Sequence, residues 1–323
     1  MTYHVSRRSL LALGAGLGAS TLLGGSALAR APKLGTQTPY WHRFILGDAE
    51  VTVVSDGPLP LGPPKGTFTG ASDDDLKKML TDNFLSPDNI VLEQNSPIVN
   101  MGDRLVLFDT GMGTSQAFGP TTGRQQKSMA EAGIKPEDID AVVFSHAHID
   151  HIGGVVDSSG KVLFPNAQYY IAQSDLDFWT DEGKLGSDLK DFVIHARKNL
   201  LPIRDRLVFY KDGQEFLPGI QALAAPGHTV GHTMFMVTSG GKSFAFLGDL
   251  THHPILLMEH PRMQFSYDTD PAQAAESRVK MLDMLAANKI AVMSYHYPWP
   301  GYGHVVKTGE GFHYIAEPMV MVL

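Results

Sequence analysis

His146-Ala147-His148-Ile149-Asp150-His151 places four ligand-type side chains in six residues, directly after Ala141-Val142-Val143-Phe144 and just before Gly153-Gly154. The apolar run reads as a short strand buried on both faces. In an extended segment residues i and i+2 project to the same side, so His146 and His148 can share one metal. The two glycines let the backbone bend sharply. Asp150 and His151, beyond the bend, can face a second metal. Zinc accepts imidazole and carboxylate ligands, and its catalytic sites keep a position for water. A solvated histidine cluster is the ordinary reading of an isolated His-x-His; the full six-residue pattern at the end of an apolar strand is not ordinary.

Three distant segments offer partners for this loop. His228 lies in Pro226-Gly227-His228-Thr229-Val230-Gly231-His232, where glycine permits close backbone approach. His232 is assigned to supporting or packing against the ligands. Asp249 ends the run Phe246-Leu247-Gly248-Asp249, and His296 follows the apolar run Ile290-Ala291-Val292-Met293. Two cations held close together need an anion between them, which Asp249 can supply. Metals roughly 3.5–4 Å apart can bind one hydroxide between them and polarise a substrate oxygen. With Asp150 and Asp249 setting charge and geometry, the reaction expected is attack by that hydroxide on a carbonyl or phosphoryl centre.

The two halves of the chain repeat one order of elements. Alternation from Tyr40 to Asp56 predicts a hairpin turning at Leu46-Gly47-Asp48, and residues 57–70, crowded with Pro and Gly, read as a long loop. Ser72 to Leu85 reads as a helix capped by Ser72, and Gly123 to Ala132 as another closed by Gly133. Ser96–Val99 and Arg104–Phe108 form a strand pair running into Asp109. In the second half a strand over Gln221–Ala225 leads to His228, and Phe235–Val237 pairs with Phe244–Leu247, which runs into Asp249. A helix over Pro271–Ala287 then precedes the strand ending at His296. Strand-rich halves with interspersed helices imply an α/β (α+β) protein of two sheets packed face to face with helices outside.

The 323 residues contain no cysteine, which excludes a disulfide framework, a thiolate metal site and a cysteine nucleophile. Ser6-Arg7-Arg8-Ser9-Leu10-Leu11, the apolar stretch to Leu23 and Ala27-Leu28-Ala29 read as a cleaved twin-arginine signal over residues 1–29. Residues 30–323 are expected to form one catalytic domain, periplasmic or secreted from a bacterium, with the export machinery as a transient partner and no membrane anchor after cleavage. Without the leader the chain has 24 basic and 34 acidic residues, a net charge of −10. No Lys/Arg cluster remains, which argues against nucleic acid and for a small neutral substrate. A homodimer is compatible with the sequence.

The order HxHxDH, GHTxGH, GD and a late strand-end His resembles the metallo-β-lactamase superfamily over residues 95–304. The resemblance implies an αββα sandwich with the site along one edge of the sheets. It implies that His146, His148 and His228 hold the first of two divalent ions, with zinc expected and manganese, cobalt or iron as alternatives. Asp150, His151 and His296 would hold the second, with Asp249 bridging and Asp109 steadying the loop. Phe118-Gly119-Pro120-Thr121, Phe164-Pro165-Asn166-Ala167, Asp177-Phe178-Trp179, Pro218-Gly219-Ile220 and Pro300-Gly301-Tyr302-Gly303-His304 resemble the exported methyl parathion hydrolase and lactonase-like branch. That likeness places Phe118, Trp179 and Phe192 in an aromatic substrate pocket. His252 stands where that organophosphate hydrolase has an apolar residue, which sets phosphotriester activity against ester or lactone activity. Tyr295, Tyr297 and His252 are candidate proton donors to the leaving group. Two other functions are compatible: a non-catalytic periplasmic metal-binding protein, and a sulfur dioxygenase of the same fold with one iron.

Overall fold

Alternating burial along Phe44, Ile45 and Leu46 begins a sheet whose inner face is mainly apolar. Strand β1 (Trp41–Leu46) turns at Gly47 into β2 (Ala49–Ser55), which pairs with β6 (Asn95–Asn100) and through it with β7 (Leu105–Phe108). Beside β7, β8 (Ala141–Val143), β9 (Gln168–Ile171) and β10 (Leu207–Phe209) run parallel to it. The second sheet has the order β11 (Glu215–Leu217), β12 (Ile220–Ala224), β13 (Thr233–Ser239), β14 (Lys242–Phe246), β16 (Ala291–Met293), β17 (Tyr302–Thr308) and β18 (Gly311–Ala316). Its one parallel pair is β14 with β16. The computed structural model describes residues 33–35 and 37–323; the leader expected over residues 1–29 lies outside the described residues. Pro39–Leu323 forms one compact unit.

Three apolar layers explain the stacking. Phe108, Val106 and Val143 of the first sheet meet Phe235, Phe244 and Phe246 of the second in the central core. On the outer face of the first sheet, Val142 and Tyr169 pack with Trp179 of α4 (Gln173–Thr180) and with Val193 and Leu200 of α5 (Lys190–Leu200). On the outer face of the second, Ala245 and Val292 pack with Leu282 and Leu285 of α6 (Pro271–Ala287). The helix–sheet–sheet–helix order that the motifs imply is therefore the order observed. Strands β8 and β16 are buried on both faces, as their unbroken apolar runs require.

The main departure is in residues 57–70. They contain β3 (Leu59–Gly62), paired with β5 (Ile90–Leu92), and β4 (Phe68–Thr69), paired with β15 (Gln264–Phe265). Proline and glycine obscure these strands because both pairs are short and isolated from the main sheets. With α1 (Asp73–Asp82) they form a fourth apolar cluster. Ser72 does cap α1, accepting a hydrogen bond from Asp75 N at 3.1 Å, but the helix stops at Asp82 and Phe84 has a φ of +59°. The helix expected over 123–132 is α2 (Gln125–Glu131).

Phe108 stands at the centre of the inter-sheet core, 5.6 Å from the ring of Phe235 and 5.3 Å from that of Phe246. Phe108→Ala should lower stability by about 3–5 kcal/mol, because the neighbouring strands cannot collapse into the void. Denaturant titration checks this; a midpoint within experimental scatter of the parent would remove Phe108 from the core's energetics.

Candidate metal centre

Parallel pairing brings the four polar strand ends to one edge. β7 leads into Asp109 and its parallel neighbour β8 into His146; β14 leads into Asp249 and its parallel neighbour β16 into His296. Both pairs point their carboxyl ends the same way, the usual location of a site in such sheets. The loop after β8 passes through His148 into the single turn α3 (Ile149–Ile152), which carries Asp150 and His151. Gly248 makes the approach of the two sheets feasible: its φ is +50°, and a Cβ there would lie 2.8 Å from Ser145 Cβ.

The side chains form two adjoining clusters. Single atoms of His146, His148 and His228 lie within 4.8 Å of one another, and the same holds for Asp150, His151, Asp249 and His296. Asp249 stands between them, with Oδ2 at 3.2 Å from Nε2 of both His228 and His296 and Oδ1 at 3.2 Å from His151 Nε2. His146 Nε2 is 3.7 Å from Asp249 Oδ2, and Asp150 Oδ2 is 3.4 Å from Nε2 of both His151 and His296. Burial would raise the Asp249 carboxyl, but His151, His296 and His252 outweigh it and hold the group well below the usual carboxylate range.

The hydrogen bonds behind the clusters set which way each imidazole faces. Asp109 Oδ2 accepts from His151 Nδ1 at 2.8 Å, Asp268 Oδ1 from His228 Nδ1 at 2.8 Å, and the Glu93 carbonyl from His296 Nδ1 at 2.8 Å. Ser145 Oγ donates to Asp109 Oδ2 at 2.8 Å and so accepts from His146 Nδ1 at 3.0 Å. With Nδ1 so engaged, all four rings turn Nε2 inward. His146 Nε2, His151 Nε2 and Asp249 Oδ1 are fully buried and have no hydrogen-bond partner in the protein. His148 Nδ1 faces His228 Nε2 at 2.9 Å, a distance at which two lone pairs need a proton or a cation between them. Orphaned buried acceptors converging from imidazole and carboxylate are the donor set that divalent metals take. The residues present fit two metal ions.

Other expected residues fall in different places. His232 is fully buried; Asp249 N donates to its Nε2 at 2.9 Å, and its Nδ1 bonds the Ala225 carbonyl at 2.9 Å. Burial pushes it down to about 3, so it is a neutral strut under the Asp249 turn. Above the clusters lies a narrow cleft of about 30 Å³, in whose wall Phe118, Phe192 and His252 all stand. Trp179 does not line it. The indole is 1 % exposed and packs edge-on behind His148 at 4.9 Å, because α4 turns that face into the first sheet's outer core. Tyr295 and Tyr297 are also outside the cleft: the first donates to the Asp150 carbonyl at 2.6 Å and the second bonds Thr251 Oγ1 at 3.0 Å. Asp268, Asp175 and Ser145 support the site and were not singled out in the sequence. Of these only Asp268 left a signal, since α6 needs one capping acid and Asp270 is it.

Residues 90–295 match the family profile of the metallo-beta-lactamase superfamily. The chain belongs to that superfamily. Among solved structures, this member is similar to AidC, a dizinc quorum-quenching lactonase in complex with the product N-hexanoyl-L-homoserine. The two are 32 % identical with a TM-score of 0.82, over 88 % of this chain and 100 % of that one. It is also similar to the hydrolase AbOPH of the beta-lactamase superfamily, 25 % identical with a TM-score of 0.82, at the same coverage. Curated relatives include the metallo-hydrolase mfmC of Annulohypoxylon moriforme, 29 % identical over 188 residues, which are 50 % of this chain. An N-acyl homoserine lactonase of Bacillus cereus is 28 % identical over 120 residues, 37 % of this chain. The matches span 48 % and 41 % of those two relatives, less than half of each.

Asp268→Asn should weaken the metal held through His228 by roughly 10–100-fold, since the amide cannot hold the ring and its basicity as the carboxylate does. Competition with a chromophoric chelator measures this. An unchanged affinity would detach Asp268 from the site.

Proposed function

We propose that this protein is a two-metal hydrolase of small neutral esters, with lactones bearing an apolar substituent as its preferred class. The observation that carries the reading is the cleft above Asp249. Its walls are Leu59, Leu61, Leu92, Ile149, Phe118, Phe192, Phe265 and Tyr267, with no lysine or arginine, and its floor is Asp150, His228, Asp249 and His296. An apolar cleft suits an acyl chain or an aryl ring and gives an anionic substrate no counter-charge. The product bound by AidC, an acylated homoserine, has that shape of chemistry.

His146, His148 and His228 would hold one ion, Asp150, His151 and His296 the other, with Asp249 shared; two zinc ions are the expected pair. When bound, such a pair supplies an activated water and an electrophile for the substrate oxygen. The protein's own part is to orient and to exclude water. Phe118 and Tyr267, with ring centroids 6.1 Å apart, and Phe192 define where the apolar group lies. His252 stacks on Phe265 at 4.0 Å, and its Nε2 is 3.0 Å from Asp249 Oδ2. Burial pushes it down to about 4, so near neutral pH it is uncharged and gives its one ring proton to Asp249. It therefore positions the shared carboxylate. A phenolate can leave such a site without a proton, whereas the ring alkoxide of an opened lactone must gain one. The twin-arginine motif supports a workplace outside the cytoplasm, and a mature chain beginning near Arg30 in the periplasmic fraction would bear this out.

The discriminating experiment is a substrate panel on protein of known metal content: an acyl-homoserine lactone, dihydrocoumarin, p-nitrophenyl acetate, methyl parathion and a β-lactam. Lactone turnover should exceed that of the phosphotriester and the β-lactam by at least about tenfold, chelation should abolish it, and Asp249→Ala should lose both metal and activity. Two tightly bound metals with no turnover of any substrate would establish a binding protein instead.

A further inference from the structure

Helix α4 reaches the metal clusters from behind through a residue that no catalytic reading requires. Asp175, in its first turn, is fully buried. An acid at the third position of a helix ordinarily bonds back to the helix's own N-terminal N–H groups. Here both oxygens leave the helix. Oδ2 accepts from Ala147 N at 2.7 Å, the amide between His146 and His148, and Oδ1 accepts from Gly231 N at 2.7 Å, three residues beyond His228. The approach is close enough that a Cβ at Gly231 would lie 2.6 Å from Ser174 Oγ and 2.9 Å from Asp175 N. One carboxylate thus cross-links the two loops that carry the three-histidine cluster.

The arrangement is unfavourable for stability alone. The partners are two neutral amides rather than a cation, and burial pushes the carboxyl up to about 6. A buried carboxylate without a counter-charge costs more than an apolar side chain of similar size. What it offers in return is geometry: two acceptors rigidly joined, each fixing a different loop. Trp179, one turn further along the same face of α4, adds its ring against His148 at 4.9 Å. The other cluster has separate anchors, namely Asp109 on His151, the Glu93 carbonyl on His296 and Tyr295 on the Asp150 carbonyl.

We propose that Asp175 is a positioning residue that fixes the separation of the His146/His148 loop from the His228 loop, and so sets the metal affinity of the three-histidine cluster independently of its neighbour. The inference rests on reading both clusters as metal sites.

Stepwise titration of the metal-free protein with Zn²⁺ against a chromophoric chelator, repeated with Co²⁺ to follow its absorption bands, tests it. The parent should show two sites. Asp175→Asn puts an amide donor opposite a backbone N–H and breaks one arm of the link; it should weaken one site by roughly 10–100-fold and alter that site's cobalt bands, leaving the other within about twofold. Val193→Ala, a cavity where α5 packs in the same layer, is the control for general destabilisation. It should lower the melting temperature without separating the two affinities. If Asp175→Asn does not fold, Asp175→Ser, which keeps a single acceptor, takes its place. Two parental affinities in a folded Asp175 variant would overturn the proposal, as would an equal fall at both sites or a selective fall in Val193→Ala. A parent protein that takes up no metal would instead overturn the reading of the clusters themselves.

Discussion

Everything at the functional edge depends on burying the carboxylate of Asp249 among histidines. The side chain is 3 % exposed, and His151, His228, His252 and His296 each bring a ring nitrogen within 3.2 Å of it. A lone carboxylate in that position would be protonated or would unfold the turn. The imidazoles keep it ionised, and the carboxylate keeps them together. The hydrogen bonds that the rings make to Asp109, Asp268, Ser145 and the Glu93 carbonyl point each Nε2 inward. The same convergence leaves several buried acceptors without protein partners, which makes the arrangement costly in the absence of cations.

The backbone absorbs some of that cost. Asp109 has a φ of +58°, a left-handed conformation that is strained for a residue with a Cβ. Its carboxylate accepts from Ser145 N and Ser145 Oγ at 2.8 Å as well as from His151. Three hydrogen bonds outweigh a strain of about 1–2 kcal/mol. β7 and β8 can end at Asp109 and His146 side by side because this one side chain spans the gap between their loops.

The ligand-type residues were legible in the sequence because their signals are local. His146, His148, Asp150 and His151 occur within one loop, and Asp249 and His296 each end an apolar run that can only be a buried strand. The echo between the two halves is visible in the structure as one repeated arrangement, a strand with a parallel neighbour, in each sheet. Asp175 and Trp179 were not legible in the same way. An acid in the first turn and a tryptophan one turn later belong to any amphipathic helix, and only the tertiary placement of α4 turns them toward Ala147 and His148. Trp179 was accordingly expected in the pocket and lies behind the metal loop. The strands inside residues 57–70 escaped for a related reason: pairs of two to four residues carry no periodicity to read.

The centre and the cleft are built by different parts of the chain. The ligands sit at strand ends held by both sheets. Most of the apolar wall instead comes from Leu59, Leu61 and Leu92 in the short sheet, from Phe265 beside β4, and from Phe118 in the loop between β7 and α2. That loop is closed at both ends by Asp56, whose carboxylate accepts from Met112 N at 2.8 Å, Gly123 N at 3.1 Å and Gln125 N at 2.8 Å. Phe118 is therefore presented by a segment pinned at its base, with its ring packed against the fourth apolar cluster. Exchanging Leu59, Leu61, Leu92 or Phe118 would leave the sheets and Asp249 in place, whereas Phe265 reaches Asp249 through His252. A fold arranged in this way can hold its reaction constant while its substrate changes, because Leu59, Leu61, Leu92 and Phe118 shape the cleft without touching the carboxylate; His252 alone of the wall does both.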